Sequence, residues 1–192
     1  CTNCLSLERH RLIYLYLKKE NSIFKKKIKL LHIAPEACLV DVFKNSENID
    51  YVTADLNSPL ADIKMDIHNM PFKDESFDFI MCNHVLEHVE NDIKALKEIK
   101  RVLKKRGKGI VQVPFYHPIP ENTIEDKSIT SKFDRERLYG QDDHVRKYGK
   151  DYKNRLELVG FRVELVNPNH ILSKDEIKRY SVIENEDIFC IH

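Results

Sequence analysis

Glycine is scarce in this chain, five in 192 residues and none of them before Gly107. It is the residue that reaches positive φ without strain and lets backbone come close to a ligand. Its absence from the first half excludes the GxGxxG turn on which a nicotinamide-cofactor enzyme seats its pyrophosphate. An excess of charge is missing too, with 32 basic against 31 acidic side chains and a formal net charge of +1. No global field therefore draws the chain to nucleic acid. The local run Lys25, Lys26, Lys27 and Lys29 reads as a solvated approach to a strand. No apolar run approaches the roughly 20 residues that span a bilayer, and no segment has the form of a signal peptide. The five cysteines (Cys1, Cys4, Cys38, Cys82, Cys190) are too few and too scattered for a disulfide framework. A reducing cytoplasm is the expected setting. The first residue is Cys1 rather than Met, so a longer parent chain is expected.

What is present describes a globular chain of 42% hydrophobic and 33% charged residues, long enough for one sizeable core. Cys1 and Cys4 have the spacing of half a zinc site, but no second CxxC follows, and a closed site needs four ligands. No bound metal is expected within this chain; a zinc ribbon whose first pair lay upstream is the alternative. Residues 5–19 carry Leu5, Leu12, Leu15 and Tyr16 at helical spacing, with His10 expected on the exposed face. Residues 1–27 are thus read as a helical extension and residues 28–192 as the domain proper.

Within the domain, the apolar run Ile28–Ile33 reads as a buried strand, followed by Ala34-Pro35-Glu36 and a helix over Ala37–Lys44. A second strand, Ile49–Ala54, ends on Asp55. Strand, helix, strand and acid is the mononucleotide-binding half of a doubly wound α/β fold, with the acid placed to bind ribose hydroxyls. Residues 56–62 leave no room for a crossover helix, so the third strand, Ile63–Asp66, is short or lies bare at the sheet edge. A buried strand over Phe77–Cys82 then runs into a helix expected to open at Asn83 or His84. An amphipathic helix over Asn91–Lys105, stopped by Gly107, leads to a strand over Lys108–Phe115. After a long polar connection, residues 116–148, come a helix (151–159), a strand (161–166), a short helix (174–179) and a last strand (187–191).

His84-Val-Leu-Glu87-His88 spells HxxEH, a zinc-protease motif, but it follows a buried strand rather than sitting in a protease context. His88 reads as a packed helix-face residue, and His84 as either a pocket wall or a helix cap. In the polar connection, Tyr116, His117 and the cluster Gly140–Tyr148 concentrate groups suited to an acceptor pocket. His117 and His144 are candidate bases near neutral pH.

The order of these motifs resembles the class I S-adenosylmethionine (SAM) dependent methyltransferases of the type 11 group. The run from Asp66-Ile-His-Asn-Met-Pro-Phe72 through Phe77-Asp78, Leu86-Glu87-His88 and Arg101-Val-Leu-Lys104 carries the likeness, which covers about residues 28–115. The resemblance implies a Rossmann-like sheet of order 3-2-1-4-5-7-6 with its last strand antiparallel. It also implies a SAM site drawn from His32, Ala34, Pro35, Glu36, Asp55, Leu56, Asp66, Ile67, Asn83 and His84. Asp55 would hold the ribose, Asp66 the adenine amine, and Asn83 with His84 the methionine end. His84, His117 and His144 are the implied catalytic candidates, acting on a small-molecule or glycan-like acceptor. The alternatives are an RNA methyltransferase carrying a zinc ribbon, or a module that has lost SAM. The family's glycine-rich first loop is replaced here by His32-Ile-Ala-Pro-Glu36. That loop either admits SAM against the small Ala34 or cannot bind it. Neither a membrane nor nucleic acid is expected as a partner, and the oligomeric state is not legible.

Overall fold

A six-residue strand whose last four side chains are all buried needs neighbours at both edges and cover on both faces, and Ile28–Ile33 (β1) has them. In the computed structural model, which describes residues 1–20 and 22–192, β1 pairs in parallel with Ile49–Asp55 (β2) and Phe77–Asn83 (β4). Outside β2 lies the two-residue strand Ile63–Lys64 (β3), reached by a bare loop. On the other flank β4 pairs with Leu103–Gln112 (β5), and the antiparallel Ile188–Ile191 (β9) and Val163–Val166 (β8) complete the sheet. The strand order is β3-β2-β1-β4-β5-β9-β8. Counting only strands of this sheet, that is the expected 3-2-1-4-5-7-6 order, with the last strand antiparallel as expected. The intervening labels belong to a two-stranded ribbon, Ile124–Glu125 (β6) with Arg146–Lys147 (β7).

Alternation along β1 sends Leu31 and Ile33 to one face and Leu30 to the other, and each face has its own core. On the first face, Asp92–Val102 (α3) buries Ala95, Leu96, Ile99 and Val102, joined by Tyr152 and Leu156 of Tyr152–Leu158 (α5). On the second, Glu8–Glu20 (α1) contributes Leu12, Ile13, Leu15 and Leu17, and Ala37–Lys44 (α2) contributes Leu39 and Phe43. Pro168–Ile171 (α6) and Lys174–Tyr180 (α7) finish that layer, and Lys132–Tyr139 (α4) lies in the long polar connection. Among the described residues, no helix is long and apolar enough to cross a membrane.

Three sequence expectations need correction. Residues 84–90 form a turn rather than a helix, because His84 takes φ +54° at the end of β4 and the chain cannot enter a right-handed helix there. The helix that starts after Asn91 ends at Val102, and Gly107 is a strand residue rather than a helix stop. Leu103 is drawn into the sheet opposite Phe77, where it is buried. His10 faces inward and is 6% exposed, not on the solvent side of α1.

Candidate active site

Open parallel sheets bind ligands beyond the carboxyl ends of their strands. Here three adjacent strands each deliver a carboxylate to that edge: Glu36 after β1, Asp55 at the end of β2, and Asp66 just past β3. Asp55 Oδ1 accepts from the backbone N–H groups of Asn57 and Ser58, at 2.6 and 2.5 Å. The turn this makes holds the side chain still, and among the described residues no protein donor is recorded at its other oxygen. Asp66 Oδ1 accepts from His68 twice, from the backbone N–H at 2.8 Å and from Nδ1 at 2.7 Å. The backbone bond, followed by the imidazole's, holds this exposed carboxyl below the usual range. His68 Nε2 accepts from the Asn91 N–H at 3.3 Å, so its proton sits on Nδ1, facing Asp66.

Glu36 is the most heavily coordinated of the three. His32, itself fully buried, places Nε2 2.8 Å from Glu36 Oε2, while its Nδ1 meets the Tyr51 hydroxyl at 2.8 Å. His10 Nε2 stands 3.3 Å from Oε1, and its Nδ1 accepts from the Leu7 N–H. Asn83 Nδ2 donates to Oε2 as well, at 3.2 Å. Burial alone would raise the Glu36 pKa, but the bonds from His10 and His32 outweigh it and hold the carboxyl at about 2. The group is ionised across the physiological range. Beside it, Asn83 Oδ1 is a buried acceptor without a partner among the described residues.

Ala34, between β1 and Glu36, adopts φ +52°. The glycine-free loop therefore does reach the left-handed region, at the strain an alanine carries there. Pro35 is buried and Leu56 is 54% exposed, while Ile67 is buried against the core next to Asp66.

The implied catalytic histidines separate into two places. His84 and His117 line one cleft of about 570 Å³ beyond β5, together with Phe115, Gln112 and Glu186. His144 is instead 1% exposed and packs edge-on against His88, its Nδ1 bonded to the Tyr139 carbonyl. Burial lowers its pKa, so the ring is held neutral. Sequence reasoning missed two contributors, His10 and Glu186, and placed a third, Arg146 of the Gly140–Tyr148 cluster, in an acceptor pocket. His10 comes from the first helix to reach Glu36. Glu186 is a carboxyl in the cleft whose pKa is raised by burial. Arg146 is buried and donates to the carbonyls of Leu86, Val89 and Glu90, fixing the turn after β4. Only a charged residue inside an otherwise polar segment marks Arg146 in the sequence, and nothing local marks the other two.

Residues 28–111 match the family described as a methyltransferase domain. Protein MJ1123 of Methanocaldococcus jannaschii is 45% identical over 65 residues, covering 34% of this chain and 32% of that protein. The methyltransferase YcgJ of Bacillus subtilis is 34% identical over 61 residues, covering 32% of this chain and 23% of its own. These matches thus span about a third or less of the relatives' lengths. A crystal structure of a SAM-dependent methyltransferase from Archaeoglobus fulgidus superposes with a TM-score of 0.59 at 16% identity, covering 94% of this chain and 92% of that one. Residues 28–111 thus match a methyltransferase domain, and the strand order of the whole chain is the fold of the SAM-dependent methyltransferase structure it superposes on.

Proposed function

We propose that the chain binds SAM along the carboxyl edge of β1, β2 and β3 and transfers its methyl group to a small-molecule or glycan-like acceptor in the cleft beside His84 and His117. The observation that carries this reading is the row of carboxylates with unfilled acceptor capacity. Asp55 has an oxygen free for ribose hydroxyls, and Asp66 is oriented by His68 to accept from the adenine amine. Glu36 and the partnerless Asn83 Oδ1 suit a methionine ammonium, which brings three donors. When bound, SAM supplies an activated methyl on a sulfonium, so the protein's part is mainly to hold two reactants in line. His84, His117 and Glu186 are the groups in the cleft able to take a proton from the acceptor. Five free thiols support a reducing compartment such as the cytoplasm.

Calorimetric titration with SAM tests the proposal. Heat with one site per chain supports it; no heat at millimolar ligand on folded protein overturns it. A non-catalytic module is the second reading, favoured only by the strained Ala34, and that null titration is its signature.

A further inference from the structure

The turn after β4 holds a feature that the methyl-donor site does not use. Glu87 is a carboxylate with 1% exposure, and among the described residues its Oε2 has no hydrogen-bond partner. A buried, unpaired carboxylate oxygen is costly unless a cation meets it. One ligand atom each from Glu87, His88 and His144 lies within 4.8 Å of the others, and His88 approaches the carboxylate from its Oε1 side.

Both rings are turned the right way for coordination. His88 Nδ1 lies 3.1 Å from Asp143 Oδ2, a contact that in the neutral ring favours the proton on Nδ1 and the lone pair on Nε2. That Nε2 is 3.9 Å from Glu87 Oε1. His144 Nδ1 donates to the Tyr139 carbonyl at 3.2 Å, which likewise leaves Nε2 unprotonated. A carboxylate or backbone carbonyl on the far nitrogen is the arrangement that orients metal-binding histidines. The scaffold beneath is fixed as well. Arg146 and the Val145 N–H tie the strand that follows His144 to the Leu86–Glu90 turn.

We infer that Glu87, His88 and His144 form a site for a divalent transition-metal ion of the zinc type, with Asp143 and the Tyr139 carbonyl as its supporting shell. Two imidazoles and one carboxylate leave a fourth position open for water or a substrate oxygen. Zinc–ligand bonds of about 2.0–2.1 Å put ligand atoms roughly 3.4 Å apart, so the half-exposed His88 must swing inward on binding. A cavity of about 650 Å³, lined by His88, Val145 and Arg146, opens beside His88. The sequence motif HxxEH named His84 and His88 as one pair on a helix. The turn replaces that pair with His88 and the distant His144, and leaves His84 Nδ1 3.4 Å from Glu87 Oε1, next to the acceptor cleft. The ion site does not rest on the methyl-transfer reading.

The test is zinc and cobalt titration of chelator-treated chain. Cys1→Ser and Cys4→Ser are introduced first, because both thiols are exposed and thiolates compete for added zinc. The inference predicts one ion per chain and a cobalt spectrum without sulfur charge-transfer bands. It also predicts at least tenfold weaker binding in His88→Gln, and about 10- to 100-fold weaker in Asp143→Asn. Both substituted side chains reach solvent, and circular dichroism confirms that each variant is folded. No ion bound to the folded double-serine chain overturns the inference, as does unchanged affinity in folded His88→Gln or a thiolate spectrum. The SAM titration is independent of all three, so the two readings fail separately.

Discussion

His10, on the first helix, stands 3.3 Å from Glu36, at the end of the first strand. The extension before the sheet therefore contributes directly to the carboxyl edge of the sheet, and Glu36 is where the two meet.

Glu36 carries a pH signature. Its carboxyl titrates at about 2 in the folded chain against an ordinary 4.5, a depression worth about 3 kcal/mol. Because the folded value lies below the unfolded one, this stabilisation is complete above pH 4.5 and is lost as pH falls toward 2. Glu36→Gln is expected to lower stability by about 2–4 kcal/mol at pH 7. It should also flatten the acid limb of the stability curve in that window. Urea denaturation across pH checks this; a variant with the same acid limb as the parent contradicts it.

Ala34 tests the strain in the first loop. At φ +52° a β-branched side chain is far worse placed than alanine. Ala34→Val should cost about 1–2 kcal/mol. Ala34→Gly should stay within about 1 kcal/mol of the parent, since relief of strain offsets the added unfolded-state entropy. Equal denaturation midpoints for the valine and glycine variants would show the loop to be unstrained.

Asp92 anchors the turn that carries Glu87. It accepts from Arg155 through both oxygens and from the Tyr148 hydroxyl, each at 2.9 Å, with Arg146 at 4.0 Å. Burial would raise its pKa, but Arg155 and Arg146 hold it low. Asp92→Asn leaves the buried Arg146 and the largely covered Arg155 short of charge, and about 3–5 kcal/mol of stability should go with it. A shift under about 1 kcal/mol would place the turn's stability in its backbone bonds instead.

Much of the sheet was legible because its signals are local. The apolar runs at Ile28–Ile33 and Phe77–Cys82 and the helix over Ala37–Lys44 are set by their own side chains, and the acids after them by the strand ends. The turn at 84–90 was not, because it is held by Arg146, which lies in a distant strand of the side ribbon. For the same reason His10 was misplaced: its partner Glu36 belongs to another layer, and a histidine among charged neighbours looks solvated. The short helix α4 was hidden because Lys132–Tyr139 buries only Tyr139 and shows no apolar stripe. At the site, Asp55 and Asp66 could be found from strand order, whereas the pairing of His88 with His144 exists only in three dimensions.

The most direct measurement of the central claim is a calorimetric titration of S-adenosylhomocysteine into the parent chain and into Asp55→Ala. Asp55 is fixed by the Asn57 and Ser58 amides, so on the proposed reading its loss removes a preformed acceptor rather than a flexible surface charge. The account predicts one site in the parent and a loss of about 1.5–3 kcal/mol in the variant, the usual value of hydrogen bonds to a charged group. Equal affinity in the two chains would place the nucleoside elsewhere and contradict it.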